Sequence, residues 1–168
     1  LPAAAFSHYL LPNGEPIPTL AQALEVLGEL EVWVEVKTLP PECDAALLAT
    51  LDAGPAAGNY AVHGFDHRIV ARLGDLRPEL PRGVLLASYL VNTLPTLHAA
   101  GADTLWMGTR LIDEALVALI HEDGARLTAW TANDEQEIRR LIHLGVDAIC
   151  GNYPDRIHAA LAQIAADG

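Results

Sequence analysis

The pattern of apolar and polar residues predicts a chain of short strands that alternate with helices. Apolar runs rich in β-branched residues are separated by stretches in which apolar residues recur every three or four positions. The predicted strands cover residues 30–37, 59–65, 83–88, 103–107, 126–131 and 147–150. The predicted helices cover residues 20–28, 41–51, 66–73, 93–100, 112–122, 134–144 and 154–165, while 1–18 is predicted to be a connecting loop. Strict alternation with short connections is typical of an α/β protein with a parallel sheet.

Several polar residues and glycines mark the ends of these helices. Thr19, Asp66 and Asn133 stand where helix N-caps are expected. Gly124 and Gly145 stand where helices are expected to end. These signals fix the alternation of elements along the chain.

The connections leave two arrangements of the sheet open, a doubly wound open sheet and a barrel. No Gly-x-Gly-x-x-Gly motif and no P-loop follows a predicted strand, so nucleotide binding by an open sheet has no support. The segments 101–105 and 145–149 share one form, a glycine that ends a helix and an aspartate that enters a strand. Repeated units are natural in a barrel, but a closed (β/α)8 barrel needs eight strands. Six are found, so two are missing.

The first predicted strand has two unlike faces. Val32, Val34 and Val36 form an apolar face, whereas Glu35 and Lys37 lie on the other. A strand exposed on one side gives the same alternation, but the neighbouring apolar strands favour a sheet buried on both faces. Lys37 is also the only lysine of the chain. Two enclosed charges at the C-terminal end of a strand would be costly unless paired or bound to a ligand, so this position is a candidate active site. A purely structural ion pair is the alternative.

Composition limits the kind of protein. The 168 residues suit a single domain, carry a net charge of −12 and contain no basic cluster, which argues against nucleic acid or anionic lipid as a partner. No apolar run is long enough to span a membrane and no signal peptide is visible, so we expect a cytoplasmic protein. The chain begins at Leu1 rather than at methionine, which leaves removal of an upstream segment open. Cys43 and Cys150 lie far apart and form neither a disulfide framework nor a metal motif; Cys150 is expected to be a small buried hydrophobe.

The other strand ends carry weaker candidates. His63 could act on a proton or a ligand, but a lone histidine is more often hydrogen-bonded scaffold. The hydroxyl groups of 88–89 could line a polar pocket, and the turn 151–154 precedes a helix and could bind an anion. Trp130 could form an apolar wall for a substrate, while Trp106 is expected to be a packing residue. None of these is decisive singly.

Taken in order, five segments resemble the glycerophosphodiester phosphodiesterase family. They are Ile17-Pro18-Thr19-Leu20, Val34-Glu35-Val36-Lys37, Phe65-Asp66, Trp130-Thr131-Ala132-Asn133, and Gly145-Val146-Asp147-Ala148-Ile149 through Pro154. The resemblance implies a (β/α)8 TIM barrel that hydrolyses a small-molecule glycerophosphodiester to glycerol 3-phosphate and an alcohol with a bound divalent cation, Mg or Ca. It also implies that Glu35 is a metal ligand, that Lys37 is a catalytic residue in contact with the phosphate, and that Trp130 binds the glycerol side of the substrate.

The chain departs from the family pattern in its N-terminal part. The His-Arg-Gly strand end, the Glu-x-Asp pair and the second histidine, which supply acid/base catalysis and most metal ligands in the family, do not occur. The sequence is therefore expected to begin just after that portion, and the chain alone is expected to hydrolyse nothing efficiently, since one carboxylate is a poor site for Mg or Ca. His63 and Gly64 stand where many members carry a serine-containing stretch, so His63 is not assigned the missing histidine's role.

Two alternative functions stay open at this stage. One is a non-catalytic barrel fragment that binds a partner or a phosphorylated small molecule, with its open sheet edges covered by another chain. The other is a related phospholipase-type phosphodiesterase. The sequence does not determine the head group, the identity of the metal or the oligomeric state.

Overall fold

The computed structural model describes Phe6, residues 8–166 and the backbone of Asp167. Part of the loop predicted for residues 1–18, namely 1–5 and 7, lies outside the described residues. Within the rest of that loop, Leu10 forms an antiparallel bridge with Pro16, and the Leu11 N–H donates to the Glu15 carbonyl at 2.7 Å. This segment is therefore a short hairpin-like turn.

Six strands form one sheet in which every strand lies beside its neighbour in the sequence. Their bounds are β1 Val32–Glu35, β2 Tyr60–Gly64, β3 Arg82–Leu86, β4 Thr104–Gly108, β5 Arg126–Trp130 and β6 Ala148–Cys150. The ladders from β2 to β6 are parallel. At the other edge, the Val36 N–H donates to the His63 carbonyl at 2.8 Å. The predicted α/β class with a parallel sheet is confirmed.

A helix precedes β1, and another follows each strand. Their bounds are α1 Leu20–Leu27, α2 Asp44–Asp52, α3 His67–Leu76, α4 Thr93–Ala99, α5 Glu114–Glu122, α6 Glu135–Leu144 and α7 Pro154–Asp167. Among the described residues, no helix combines the length and the apolar character needed to cross a lipid bilayer.

The helix caps are in part as predicted. Thr19 forms a capping box with Gln22, and Asp66 caps α3 through the Arg68 N–H. The expected cap at Asn133 is wrong, because the Asp134 side chain accepts the Gln136 and Glu137 N–H groups at 2.9 and 3.1 Å. Asn133 Oδ1 instead accepts the Asn152 N–H, in the loop after β6.

The predicted starts of two helices are also wrong. A 3-10 turn, Pro41–Cys43, precedes α2, so the α-helix begins at Asp44. In α5, the Asp113 side chain accepts the Leu116 N–H at 2.8 Å, so the helix begins at Glu114 and not at residue 112.

The chain divides into two compact units, the first of which comprises Leu1–Trp33 and Pro40–Tyr60. Its most deeply buried side chains are Leu24, Leu51 and Tyr60. Gly54 leaves room for the Tyr60 ring, since a Cβ at Gly54 would lie 2.6 Å from Tyr60 Cε2. The Tyr60 hydroxyl accepts the Ala56 N–H at 3.0 Å, which satisfies both the buried phenol and the turn.

The second unit comprises Val34–Leu39 and Ala61–Gly168 and holds the larger core. One face of its sheet packs against the helices, and we call it the helix face. Its core residues are Val84, Leu86, Leu105, Met107, Leu127 and Ala129 from the strands, with Leu97, Leu116, Ile120, Ile138 and Leu141 from the helices. Strand side chains alternate between faces, so the opposite face is also defined. This site face carries Glu35, His63, Gly83, Trp106, Thr128, Trp130 and Cys150.

Candidate active site

Glu35 and Lys37 form an ion pair at the C-terminal end of β1. Lys37 Nζ donates to Glu35 Oε1 at 2.6 Å, as expected for side chains two residues apart on one face. The expectation that both charges are enclosed is wrong, because the Lys37 side chain is 76% exposed and that of Glu35 is 32% exposed. An exposed ion pair contributes little to stability. The pair is therefore better suited to meeting a ligand than to holding the fold.

His63 lies beside Glu35 on the site face. The hydrogen bond from Val36 to the His63 carbonyl sets Val36 opposite Gly64 in the parallel register, and consequently Glu35 opposite His63. Gly64 allows this close approach, since a Cβ there would lie 2.7 Å from the Val36 carbonyl oxygen. The position of the charged pair is thus linked to the backbone of β2.

The His63 imidazole is buried and uncharged at neutral pH. Only 6% of the residue is exposed. Burial lowers the pKa of His63 to about 4; the negative charge of Glu35 opposes this shift and the positive charge of Lys37 reinforces it. Both members of the ion pair therefore act electrostatically on His63.

Trp106 closes the other side of His63. The two ring centroids are 4.1 Å apart and the ring planes are inclined by 43°. The indole lies over Gly83, where a Cβ would come within 2.8 Å of Trp106 Cδ1. Gly83 therefore provides the space for Trp106, and Trp106 in turn flanks the imidazole.

Trp130 meets Phe65 above this layer, at the C-terminal ends of the strands. Their ring centroids are 5.5 Å apart and the planes are nearly perpendicular, at 80°. Phe65 is 51% exposed, whereas Trp130 is half-buried. Trp130 Nε1 is buried and makes no hydrogen bond to the part of the chain that the structure describes. The two rings form an aromatic wall at the ends of β2 and β5.

Cys150 lies on the edge strand β6, opposite Trp130 in register. The expectation of a small buried hydrophobe is wrong, because Cys150 is exposed on the site face. Partial desolvation raises the pKa of its thiol, and the negative charge of Glu35 raises it further. Glu35 and Cys150 belong to the two edge strands of the sheet.

The loops after β5 and β6 are joined by hydrogen bonds. The Ala132 N–H donates to the Cys150 carbonyl at 2.9 Å, and the Asn152 N–H donates to Asn133 Oδ1 at 2.8 Å. The Arg156 guanidinium lies 4.2 Å from the centroid of the Tyr153 ring. The amide of Asn152 is therefore already occupied, which weakens the prediction that the turn at 151–154 binds an anion.

Two further polar side chains, those of Asp66 and Tyr89, follow the ends of β2 and β3. Asp66 accepts from Arg68 Nε and the second Arg68 nitrogen at 2.8 and 2.7 Å, and this pairing lowers the pKa of Asp66 to about 2. Tyr89 is partly exposed, and partial desolvation and the charge of Asp113 raise its pKa. Neither residue makes a described contact with the ion pair or the aromatic wall.

The described residues do not complete a site for a hard cation. They contain no group of three or more histidines, cysteines, aspartates or glutamates placed to hold a metal ion. Magnesium and calcium need about six to eight oxygen ligands. Glu35 has the right chemistry for one ligand position, and the rest of the coordination shell is not supplied by these residues.

Two residues of the site face make contacts that the sequence pattern alone does not predict. Trp106 was expected to be packing alone, yet its ring fixes His63. Phe65 was noted only as part of a motif, yet its ring meets Trp130. A period of two from His63 places Phe65 on the same face, and this is the signal that points to it.

Comparison with solved structures defines the class of fold. A glycerophosphodiester phosphodiesterase from Parabacteroides distasonis superposes with a TM-score of 0.85 at 19% identity, over 96% of this chain and 71% of that one. A phosphodiesterase from Oleispira antarctica, solved in complex with the product sn-glycerol 3-phosphate, gives a TM-score of 0.78 at 24% identity, over 88% of this chain and 62% of that one. The fold is therefore that of a TIM barrel, represented by six βα units in the described residues.

Sequence comparison gives the family. The model of the glycerophosphoryl diester phosphodiesterase family matches residues 3–156, and this chain belongs to that family. A glycerophosphodiester phosphodiesterase of Bacillus subtilis is 24% identical over 158 residues, which are 86% of this chain and 54% of the relative. The chain thus spans about half the length of that curated relative.

Proposed function

We propose that this chain forms part of an enzyme that hydrolyses glycerophosphodiesters to glycerol 3-phosphate and an alcohol. Membership of the family supports this reaction. The observation that carries the proposal is the exposed Lys37 ammonium, held 2.6 Å from Glu35 at the end of β1. Ends of parallel strands are where the active sites of such barrels are built.

Lys37 is the residue that meets the phosphate in this proposal. Its ammonium is a compact positive charge with several donors, well suited to a phosphate oxygen. Pairing with Glu35 directs it along the site face, while its exposure leaves it accessible. It would offset the negative charge that grows on the phosphoryl oxygens in the transition state.

Trp130 and Phe65 form the wall for the glycerol moiety. Aromatic rings provide apolar surface for the carbon skeleton of glycerol. In this proposal the charged residue binds the phosphate of the substrate and the aromatic residues bind its carbon skeleton.

Glu35 is proposed as one ligand of a divalent cation, Mg or Ca. The described residues provide this carboxylate but not the remaining ligands. Lys37, Trp130 and Phe65 are therefore the residues of this chain that would contact the substrate itself.

A binding module without catalysis is the second candidate. It is favoured by the absence, among the described residues, of a group that could hold a metal ion. In that case a phosphorylated small molecule would bind at Lys37 without turnover. A turnover assay together with a titration of glycerol 3-phosphate distinguishes hydrolysis from binding.

The test measures release of glycerol 3-phosphate from glycerophosphocholine by the intact protein. Lys37→Ala is expected to lower kcat/KM by roughly 10²-fold, the scale of losing one electrostatic contact. Arg126→Ala removes a positive charge at the N-terminal end of β5 and serves as the matched control with unchanged kinetics. Equal activity of K37A and the parent would remove Lys37 from the site, and binding of glycerol 3-phosphate without turnover would favour the binding module.

A further inference from the structure

His63 is a buried ionisable residue that the proposed reaction does not use. It occupies the position between the charged pair and the aromatic residues of the site face. In sheet order, Glu35 on β1 is followed by His63 on β2, Gly83 on β3 and then β4, which carries Trp106. The imidazole is thus the immediate neighbour of Glu35 across the sheet.

Two contacts fix the position of His63, one through its backbone and one through its ring. Its backbone carbonyl accepts the Val36 N–H at 2.8 Å, which locks the register between β1 and β2. Its ring lies 4.1 Å from the ring of Trp106, which cannot be displaced toward β3 without meeting the backbone at Gly83. A side chain braced in this way offers a fixed surface to Glu35.

The fixed surface limits where the Glu35 carboxylate can turn. In the parallel register Glu35 lies opposite His63, so the His63 side chain, which is 6% exposed, lies on the β2 side of Glu35. The carboxylate then has the solvent side and Lys37 available, and it is found 2.6 Å from Lys37 Nζ.

We propose that the His63 ring, braced by Trp106, is a positioning residue that keeps Glu35 turned toward Lys37 and thereby aims the Lys37 ammonium. The proposal deepens the proposed function, because it rests on Lys37 being the anion-binding group. It assigns His63 neither a proton-transfer role nor a metal.

The chain offers a direct probe, since Lys37 is its only lysine. In the intact protein labelled biosynthetically with 13C,15N-lysine, the Lys37 side-chain signal is the one that Lys37→Arg removes. Its two Hε protons differ in chemical shift only while the side chain is held in one geometry. Glu35→Gln, which removes the ion pair, is expected to abolish this difference at neutral pH and defines the signal of an unheld lysine. Thr128→Val is the matched control, because Thr128 is a buried polar residue on the same face at β5, and the difference is expected to persist.

Two substitutions at His63 distinguish the effect of the ring's bulk from the effect of its nitrogen atoms. His63→Ala removes the ring and is expected to abolish the Hε difference, as E35Q does. His63→Phe keeps a planar ring against Trp106 and is expected to retain it. The proposal is overturned if an H63A protein that melts cooperatively keeps the Hε shift difference. It is also overturned if a folded H63F protein loses that difference. If H63A does not fold, the H63F result decides alone.

A separate arm tests the proposed function. Addition of sn-glycerol 3-phosphate to the parent chain is expected to shift the Lys37 signal. If the signal does not shift while the His63 variants behave as expected, Lys37 is not the anion-binding group but His63 still positions the ion pair. The two ideas therefore fail separately.

Discussion

The rings of Phe65 and Trp130 meet edge to face at 5.5 Å although β3 and β4 lie between their strands. Adjacent strands are about 4.8 Å apart, so two residues three strands apart on a flat sheet would be separated by about 14 Å. The contact therefore requires the strand ends to curl toward the site face. Curling brings side chains from distant parts of the sequence into one wall.

This contact predicts a specific effect of Phe65→Ala. Loss of the edge-to-face contact is expected to raise KM for a glycerophosphodiester by roughly 2- to 12-fold, the equivalent of about 0.5–1.5 kcal/mol, with little change in kcat. Steady-state kinetics of the intact protein measure this. Leu76→Ala removes a similarly exposed apolar side chain at the end of α3 and should leave both constants unchanged. A fall in kcat alone would place Phe65 outside the binding wall.

Glu35→Gln tests the proposed metal ligand. The amide keeps the shape but loses the charge that a hard cation requires. Affinity for Mg or Ca, measured by calorimetry on the intact protein, is expected to fall by at least roughly tenfold. Glu42→Gln, at an exposed position of the 3-10 turn before α2, is the control. Equal affinities in the parent and E35Q would end the ligand assignment.

The lowered pKa of His63 predicts a pH dependence of stability. The unfolded state takes up a proton near pH 6.5 but the folded state only near pH 4, so the free energy of unfolding falls as the pH drops through this window. The contribution of His63 is on the order of 3 kcal/mol and is fully present above pH 6.5. Denaturant titrations at pH 7, 5.5 and 4.5 should give a smaller loss for H63F, since the other groups cancel in the comparison. Parallel losses in the two proteins would contradict the assignment.

Gly64→Ala tests the approach of β1 to β2. The new Cβ would lie 2.7 Å from the Val36 carbonyl oxygen, so one strand must move. We expect a loss of about 1–3 kcal/mol in the free energy of unfolding, the range for an overpacked site. Gly58→Ala introduces a methyl group with nothing within 4 Å and should have a far smaller effect. Denaturant unfolding of both variants measures the two free energies of unfolding. A G64A protein as stable as G58A would show that β1 and β2 accommodate the extra methyl group without strain.

Local signals in the sequence were sufficient for the elements and for the ion pair. Every predicted strand lies within two residues of its observed bounds, because β-branched runs and flanking turn residues are local features. The pairing of Glu35 with Lys37 also follows from the period of two along a strand. The family resemblance then supplied the barrel class.

The arrangement across the sheet could not be predicted in the same way. The exposure of Cys150 and the contact between Phe65 and Trp130 depend on how far the strand ends curl, which no local pattern encodes. The place of Trp106 beside His63 depends on the register of strands joined through helices. Asp134 rather than Asn133 caps α6, since both are good caps and the Asn133 side chain is used by Asn152.

The exposure of Lys37 has a consequence for ionic strength. With 76% of its side chain in solvent, the attraction between its ammonium and a phosphate is screened by dissolved salt, over a Debye length of about 8 Å at 0.15 M. Contact between a glycerol skeleton and the rings of Phe65 and Trp130 is not weakened in this way, because it depends on apolar surface removed from water. As the salt concentration rises, the attraction of Lys37 for the phosphate weakens. The aromatic wall then determines a larger share of the selectivity among ligands.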